Sequence, residues 1–205
     1  MAKSRLSHVL GPATRQQLFF AMARHVISTV RRVQRVERTL VVTPSPSVCS
    51  FAIDMGCEVI MQKNNSGTAE AFEVGVQHAR SLGAQALLLL SGDLPLLTPE
   101  AIDDLLAAAW APDAVAIAPD TTETGTNAMA LGSKAKLPMC FGHESYQRHV
   151  EAAHSRGLTV SVVRRAELAT DIDEEAHLRQ FSRWILSDPS ITVGNRANLM
   201  IDALA

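Results

Sequence analysis

Cysteine is scarce in this chain of 205 residues, and its few copies form no motif. The three cysteines, Cys49, Cys57 and Cys140, are an odd number, and no two of them form a Cys-x-x-Cys pair. A disulfide framework needs paired cysteines and a zinc site needs closely spaced ones, so neither class fits this sequence. We interpret the three side chains as buried thiols of a protein in a reducing compartment.

The sequence also lacks a charge excess and a long apolar run. Its formal net charge is −2, whereas nucleic-acid-binding domains carry a marked basic excess. No apolar run approaches the roughly 18 residues that a membrane-spanning helix requires. The opening residues, MAKSR, have no apolar core of the kind found in signal peptides. We therefore expect a cytoplasmic protein that binds neither nucleic acid nor membrane.

Three common catalytic motifs are absent as well. The sequence contains no GxSxG, no GxxxxGK[ST], and no GxGxxG after a predicted strand. These motifs form the nucleophile turn of α/β-hydrolases, the phosphate loop of P-loop NTPases and the dinucleotide-binding turn of dehydrogenases. Their absence argues against all three enzyme classes.

What the sequence does have is an alternation of predicted strands and helices. Strands are predicted at residues 39–43, 58–61, 86–90, 114–118, 127–131 and 158–163. Helices are predicted at residues 6–36 (with a break at Gly11-Pro12), 48–55, 68–82, 99–110, 145–155 and 174–186. Several strands are apolar throughout, which is typical of a mostly parallel sheet covered on both faces. We therefore expect an α/β fold.

The N-terminal and C-terminal segments both differ from the regular alternation of strands and helices. Parallel α/β domains usually open on a strand, but this sequence opens on a predicted helix. Either the sheet lacks its usual first strand, or the natural protein begins upstream of Met1. We divide the chain into a domain at residues 1–186, with an apparently missing N-terminal strand, and a C-terminal tail at 187–205. The tail wraps the domain or a partner subunit, which leaves a homodimer open.

Acidic side chains follow predicted strands at the edge where such sheets bind ligands. Asp93 directly follows the strand at 86–90, and Asp171 and Asp173 are two residues apart in an extended segment. Side chains two residues apart on a strand point the same way, and paired carboxylates suit a hard cation such as Mg²⁺. The spacing alone leaves alternatives open. Asp93 could bond its own backbone in a turn, and Asp171 or Asp173 could cap the following helix.

Two polar stretches could bind an anion. In TGTNAMAL, the hydroxyls of Thr124 and Thr126 flank Gly125, and Asn127 follows, so the stretch is either an anion pocket or a hairpin turn. In CFGHESYQRHV, Gly142 precedes Ser145 at a predicted helix start, where free N–H groups bind phosphate or carboxylate. Ordinary N-capping by Ser145 is the alternative. The histidines, including His149, are too scattered for a metal cluster, and we interpret them as surface or packing residues.

Two further segments have weaker signals. Lys3 and Arg5 precede the first helix and could hold triphosphate oxygens, or they could be ordinary solvated side chains. The loop NNSGTAEAF contains Ser66 and Gly67 and could approach a base or ribose. Glycine loops of this kind are common, so the loop could equally be a simple turn.

Four of these segments, taken in order, resemble a known family. They are AKSRL, SGDLPLLTPEAIDDLL, APDTTETGTNAMAL and FGHESYQRHVEAAHSRGLTVSVVRRAELATDIDEEAHL, and together they extend over nearly all of residues 2–180. The order and spacing are similar to those of the CofC/FbiD guanylyltransferases. The resemblance implies a single-domain Rossmann-like nucleotidyltransferase of GT-A-like type with a mostly parallel central sheet. It also implies transfer of GMP from GTP to 2-phospholactate, phosphoenolpyruvate or 3-phosphoglycerate, with release of pyrophosphate, in deazaflavin coenzyme biosynthesis.

The resemblance further assigns roles to individual residues. The expected Mg²⁺ ligands are Asp93, Asp171 and Asp173. The residues expected to receive the phospho-acid are Thr126, Gly142 and Ser145. The residues expected to contact the nucleotide are Lys3, Arg5, Ser66 and Gly67. Of these, Asp93, Lys3 and Arg5 are the expected catalytic residues. The alternatives are another nucleotidyltransferase, such as a molybdopterin type, or a catalytically impaired relative that binds a nucleotide.

Overall fold

The structure is a computed structural model that describes residues 6–172, 177 and 178. Lys3, Arg5, Asp173, most of the predicted helix at 174–186 and the tail at 187–205 lie outside the described residues. The described helices are α1 (Pro12–Val30), α2 (Pro46–Asp54), α3 (Thr68–Ser81), α4 (Pro99–Ala108), α5 (Ser145–His154) and α6 (Ala166–Ala169). The described strands are β1 (Leu40–Thr43), β2 (Glu58–Met61), β3 (Leu87–Leu90), β4 (Ala114–Pro119), β5 (Thr126–Leu131) and β6 (Thr159–Val162).

Local sequence signals fix most element boundaries. Helices α1, α2 and α4 each have a proline in their first turn, where its missing N–H costs no hydrogen bond. The hydroxyl of Thr98 accepts from the N–H of Ala101 at 3.3 Å and caps α4, as the sequence predicts. Gly56 and Gly83 follow α2 and α3 with φ of 74° and 83°, a conformation that glycine adopts without a Cβ clash.

The prediction of the helices needs three corrections. The predicted short turn before the Gly11-Pro12 break is present at residues 6–10, but the helix that follows ends at Val30 and not at residue 36. Beyond Val30 the chain continues in tighter turns, in which the N–H of Val33 donates to the carbonyl oxygen of Val30. Helix α2 begins at Pro46 and not at residue 48. The short helix α6 is absent from the prediction, because four residues are too few to display a helical period.

The strands form two sheets. Strands β1 and β2 pair in parallel, and a second sheet has the order β3-β5-β4-β6. In the second sheet β5 is antiparallel to β3 and β4, while β4 and β6 are parallel. Three of its four strands therefore run in one direction. The expected single central sheet is corrected to two, since no strand among the described residues joins β1 to β3.

Helix α3 packs on both sheets. A Cβ added to Gly75 would lie 3.4 Å from Cγ2 of Val42 in β1, so the glycine lets the helix backbone approach that strand closely. Phe72 and Val76 of the same helix pack on the apolar cluster that includes Leu87 and Leu89 of β3. One amphipathic helix thus covers residues of both sheets.

Small and large side chains alternate along β4 and β5, so that they point to opposite faces of the four-stranded sheet. A different helix covers each face. Alanines at 116, 118, 128 and 130 face the cluster that includes α4 residues Ile102 and Leu105. The intervening large residues, Val115, Ile117, Met129 and Leu131, face the cluster that includes α5. Small side chains let α4 approach closely, and each large one contributes about 2 kcal/mol by its burial. Among the described residues, no helix has the length and apolarity to cross a membrane.

Candidate active site

Three segments that carry described candidate residues, namely Asp93, Thr126 and Asp171, lie at one edge of the four-stranded sheet. Strands β3, β4 and β6 end at this edge, and the antiparallel strand β5 begins there. We call it the site edge. The N–H of Ser91, just after β3, donates to the carbonyl oxygen of Asn127 at 2.8 Å. The segment that carries Asp93 is therefore tied to the first residues of β5.

Asp93 lies on a well-anchored segment. The next residue, Leu94, is fully buried, and Leu97 is almost so. The N–H of Leu97 donates to the carbonyl oxygen of Leu94 at 3.3 Å, and Nε2 of His25 lies 3.1 Å from the carbonyl oxygen of Leu97. Asp93 itself is partly exposed. Buried leucines thus hold the backbone while the carboxylate stays close to solvent.

Asn127 links the site edge to the segment that carries Asp171. Its side-chain amide donates to the carbonyl oxygen of Ala169 at 2.9 Å, and the N–H of Thr121 donates to the same oxygen at 3.1 Å. Thr170 and Ile172 are buried, whereas Asp171 between them is partly exposed. This alternation is the extended pattern that the sequence predicts.

The acids that the structure describes do not form a complete metal site by themselves. Among residues 6–172, 177 and 178, no group of three or more His, Cys, Asp or Glu side chains is arranged to hold a metal ion. Asp93 and Asp171 both lie on segments hydrogen-bonded to Asn127, and Asp173 lies outside the described residues. The chemistry of this donor set fits Mg²⁺, because all of its members are carboxylates.

Asp120 also follows a strand at the site edge, but it acts as a turn device. Its Oδ1 accepts from the N–H groups of Thr122 and Thr124 at 3.1 and 2.9 Å, and its Oδ2 accepts from the N–H of Gly125 at 2.9 Å. A Cβ at Gly125 would lie 2.7 Å from that Oδ2. Of the two alternatives for this stretch, anion pocket or turn, the turn is therefore the one that fits Thr124 and Gly125. Their N–H groups are already hydrogen-bonded to Asp120.

Thr126 and Ser145 meet in a buried hydrogen-bond network. The N–H of Thr126 donates to Oγ of Ser145 at 2.8 Å, and Oγ1 of Thr126 lies 3.0 Å from Nδ1 of His149. Nε2 of the same ring accepts from the N–H of Cys140 at 2.8 Å. Thr126, Ser145 and His149 are each at most 5% exposed. Three segments distant in sequence are thus joined around one imidazole.

His149, which the sequence analysis interprets as a surface or packing residue, is fully buried and lies at the centre of this network. Burial, with a smaller effect of the Arg148 charge, lowers its pKa from 6.5 to about 4. The ring is therefore neutral at pH 7. A signal was available, because His149 lies four residues after Ser145 and so shares its helix face. The three cysteines are free, as expected, but only Cys57 is buried, and Cys49 and Cys140 are partly exposed.

Gly142 and the start of α5 differ from a simple anion-binding helix end. The N–H of Ser145 donates to the carbonyl oxygen of Gly142, and the N–H of Tyr146 donates to that of Thr124, both at 3.2 Å. These two amides are already paired. Gly142 is exposed with φ of 118°, and no atom lies within 4 Å of where its Cβ would stand. The backbone at Gly142 is therefore open to solvent.

The glycine loop is connected to this network through aromatic rings. Gly67 has φ of 90° and donates its N–H to Oδ1 of Asn65 at 3.3 Å, while Ser66 is exposed. Phe72, one turn into α3, stacks on Phe141 with ring centroids 4.2 Å apart. Phe141 in turn contacts the ring of His149 at 4.9 Å, edge to face. The helix that begins at the glycine loop therefore packs against the residues around Gly142.

Known proteins with similar sequences are guanylyltransferases. A phosphoenolpyruvate guanylyltransferase from Chloroflexus aggregans is 38% identical over 184 residues, which is 88% of this chain and 90% of that protein. A 3-phospho-D-glycerate guanylyltransferase from Phenylobacterium zucineum is 32% identical over 175 residues, 84% of this chain and 80% of that protein.

Solved structures support the fold class. A structure from Desulfovibrio desulfuricans, provisionally described as a nucleotide-diphospho-sugar transferase, superimposes with a TM-score of 0.72 at 18% identity. The match covers 98% of this chain and 89% of that one, and it confirms the α/β nucleotidyltransferase fold. The sequence model described as "Guanylyl transferase CofC like" matches residues 1–182. The chain therefore belongs to the CofC-like guanylyl transferase family.

Proposed function

We propose that this protein transfers GMP from GTP to the phosphate of phosphoenolpyruvate and releases pyrophosphate. 3-Phosphoglycerate and 2-phospholactate are the alternative acceptors. One observation carries the proposal: the acidic segments and the buried hydroxyl network share the site edge and are tied together by β5. The names of the relatives support the choice of phosphoenolpyruvate as the first acceptor to test. We further assign the reaction to deazaflavin coenzyme biosynthesis in the cytoplasm.

The reaction needs charge neutralisation and positioning more than it needs a base. An oxygen of the acceptor phosphate attacks the α-phosphorus of GTP, and the bond to the bridging oxygen of the β-phosphate breaks. One phosphoanhydride bond forms, and pyrophosphate leaves. A phosphate oxygen is already ionised at pH 7, so no proton has to be removed from the nucleophile. This suits a site at which the imidazole of His149 is buried and neutral.

Asp93, Asp171 and Asp173 are the residues that would hold Mg²⁺. When bound, the ion would offset the negative charge of the two phosphate groups that must approach each other. The protein's own contribution is to deliver Asp93 and Asp171 on segments fixed to Asn127. A fixed carboxylate needs no reorganisation when the substrates bind, which lowers the barrier.

The remaining residues divide between the two substrates. Thr126 and Ser145 would donate hydroxyl hydrogens to the phospho-acid, and the exposed backbone at Gly142 would lie beside it. Ser66 and Gly67 would approach the nucleoside part of GTP from the start of α3. Lys3 and Arg5 would face the triphosphate and stabilise the leaving pyrophosphate.

Pyrophosphate release tests the proposal. The purified chain is incubated with GTP, Mg²⁺ and each of the three acids singly, and with ATP or CTP in place of GTP. We expect release that requires both GTP and one of the acids. Pyrophosphate release with ATP or CTP but not with GTP would show that the protein is a different nucleotidyltransferase. If the folded chain binds GTP but releases no pyrophosphate, the alternative of a catalytically impaired, nucleotide-binding relative is supported.

A further inference from the structure

We propose that His149 is a positioning residue that makes the Thr126 hydroxyl a hydrogen-bond donor toward the acceptor substrate. The inference rests on the proposed function, since it concerns the phospho-acid that Thr126 would bind. It assigns to His149 a role beyond packing. The chain of contacts runs from the Cys140 amide through both ring nitrogens to the Thr126 hydroxyl.

The hydrogen-bond partners of His149 determine the tautomer of its ring. A backbone N–H can only donate, so the 2.8 Å contact from Cys140 requires a lone pair on Nε2 of His149. A neutral imidazole with a lone pair on Nε2 carries its hydrogen on Nδ1. The ring is fully buried, and its lowered pKa keeps it neutral at pH 7. Nδ1 therefore donates to Oγ1 of Thr126, 3.0 Å away.

The hydroxyl oxygens of Thr126 and Ser145 both accept hydrogen bonds. Oγ1 of Thr126 accepts from His149, and Oγ of Ser145 accepts from the N–H of Thr126. A hydroxyl that already accepts keeps its own hydrogen for a different partner. Both side chains are therefore set up as donors. Two adjacent donors in a buried setting favour a ligand that can only accept, which is the property of an ionised phosphate or carboxylate.

A positioning role and a packing role of the His149 ring have different consequences. The ring of His149 also contacts Phe141 edge to face, so a space-filling role would lower stability when the ring is changed. A purely space-filling ring would not act selectively on one substrate. A ring that orients Thr126 would affect the Michaelis constant of the acid far more than that of GTP.

Two amide substitutions of His149 each retain only one of the two hydrogen bonds that the ring makes. In His149→Asn the amide nitrogen can stand near Nδ1 and donate to Thr126, whereas in His149→Gln the amide oxygen can stand near Nε2 and accept from Cys140. We expect His149→Gln to raise KM for phosphoenolpyruvate about tenfold, the usual effect of losing one hydrogen bond to a charged group. KM for GTP should change less than about twofold. His149→Asn should recover most of the loss.

Coupling to Thr126 is the decisive control. In a Thr126→Val background the hydroxyl is gone, so His149→Gln should raise the acid's KM no further. An additional tenfold rise in that background, or equal changes for both substrates, would overturn the proposal. Thermal unfolding of each variant establishes that the folded protein is being compared.

Long-range ¹H–¹⁵N NMR of the unmodified protein tests the tautomer without any turnover. A hydrogen on Nδ1 of His149 at pH 7 supports the proposal, and a hydrogen on Nε2 refutes it. If the wild type releases no pyrophosphate with any acid, the proposed function fails. The NMR tautomer then still decides the His149 assignment.

Discussion

The side-chain amide of Asn127 and the carbonyl oxygen of Ala169 are 2.9 Å apart, although 42 residues separate them in sequence. The carbonyl of Asn127 also receives the N–H of Ser91. One residue at the start of β5 thus fixes both segments that carry the predicted metal-binding acids. Asn127 is almost fully buried, so these contacts are shielded from competing water.

Replacement of Asn127 by alanine should impair turnover more than folding. The carbonyl of Ala169 keeps its bond from Thr121, so we expect a loss of only about 1 kcal/mol of stability. Turnover should fall at least about tenfold, because small displacements of positioned groups are costly in catalysis. Gln77→Ala is the matched control, since its amide bonds Glu73 on an exposed face of α3. Equal turnover of the two variants would argue against a positioning role.

Asp93 and Asp120 form a pair of acids with opposite expected behaviour. Asp93→Asn should abolish most turnover with little change in unfolding temperature, because the segment is held by Leu94 and Leu97. Asp120→Asn should lower stability by about 1–3 kcal/mol, because the carboxylate accepts several hydrogen bonds in its loop. Calorimetry and pyrophosphate release measure the two effects. Marked unfolding by Asp93→Asn would favour the turn alternative for that residue.

Stability should decrease below neutral pH because of His149. Its pKa is about 4 in the folded protein and 6.5 when the ring is free of burial, so the unfolded chain binds the proton first. The free energy of unfolding therefore falls as pH drops from 6.5 toward 4, by up to about 1.4 kcal/mol per pH unit. Urea unfolding between pH 7.5 and 4.5 measures the slope. A His149→Asn variant with the same slope would contradict this assignment.

Gly125 should tolerate no side chain. A Cβ there would lie 2.7 Å from Oδ2 of Asp120, so Gly125→Ala must displace that carboxylate from its loop contacts. We expect a loss of about 1–3 kcal/mol. Gly11→Ala is the control, because no atom lies within 4 Å of its Cβ position and its φ is −62°. Similar urea midpoints for both variants would contradict the view that the Asp120 carboxylate holds this loop together.

The fold was largely accessible from sequence because its signals are local. Prolines at helix starts, the Thr98 cap and glycines after α2 and α3 fixed most boundaries. The division into two sheets was not accessible, since strand pairing depends on contacts distant in sequence. The same holds for the site. Strand ends identified Asp93, but only the β3-β5 pairing shows that Asn127 ties it to Ala169.

The hydrogen-bond partners of His149 could not be predicted from the sequence for a different reason. An isolated histidine on a helix is compatible with surface, packing or functional roles, and only its partners distinguish them. Those partners, Cys140 and Thr126, lie on a loop and on another strand. Asp120 shows the opposite case. It follows a strand at the site edge, as Asp93 does, but its carboxylate accepts hydrogen bonds from its own loop.

Mass spectrometry of a single reaction tests the central claim most directly. The full chain is mixed with GTP, phosphoenolpyruvate and Mg²⁺, and the products are identified. The account predicts pyrophosphate and a species in which GMP is joined to phosphoenolpyruvate through a new phosphoanhydride bond, with neither product formed by Asp93→Asn. A folded wild-type chain that forms no GMP adduct with phosphoenolpyruvate, 3-phosphoglycerate or 2-phospholactate would contradict it.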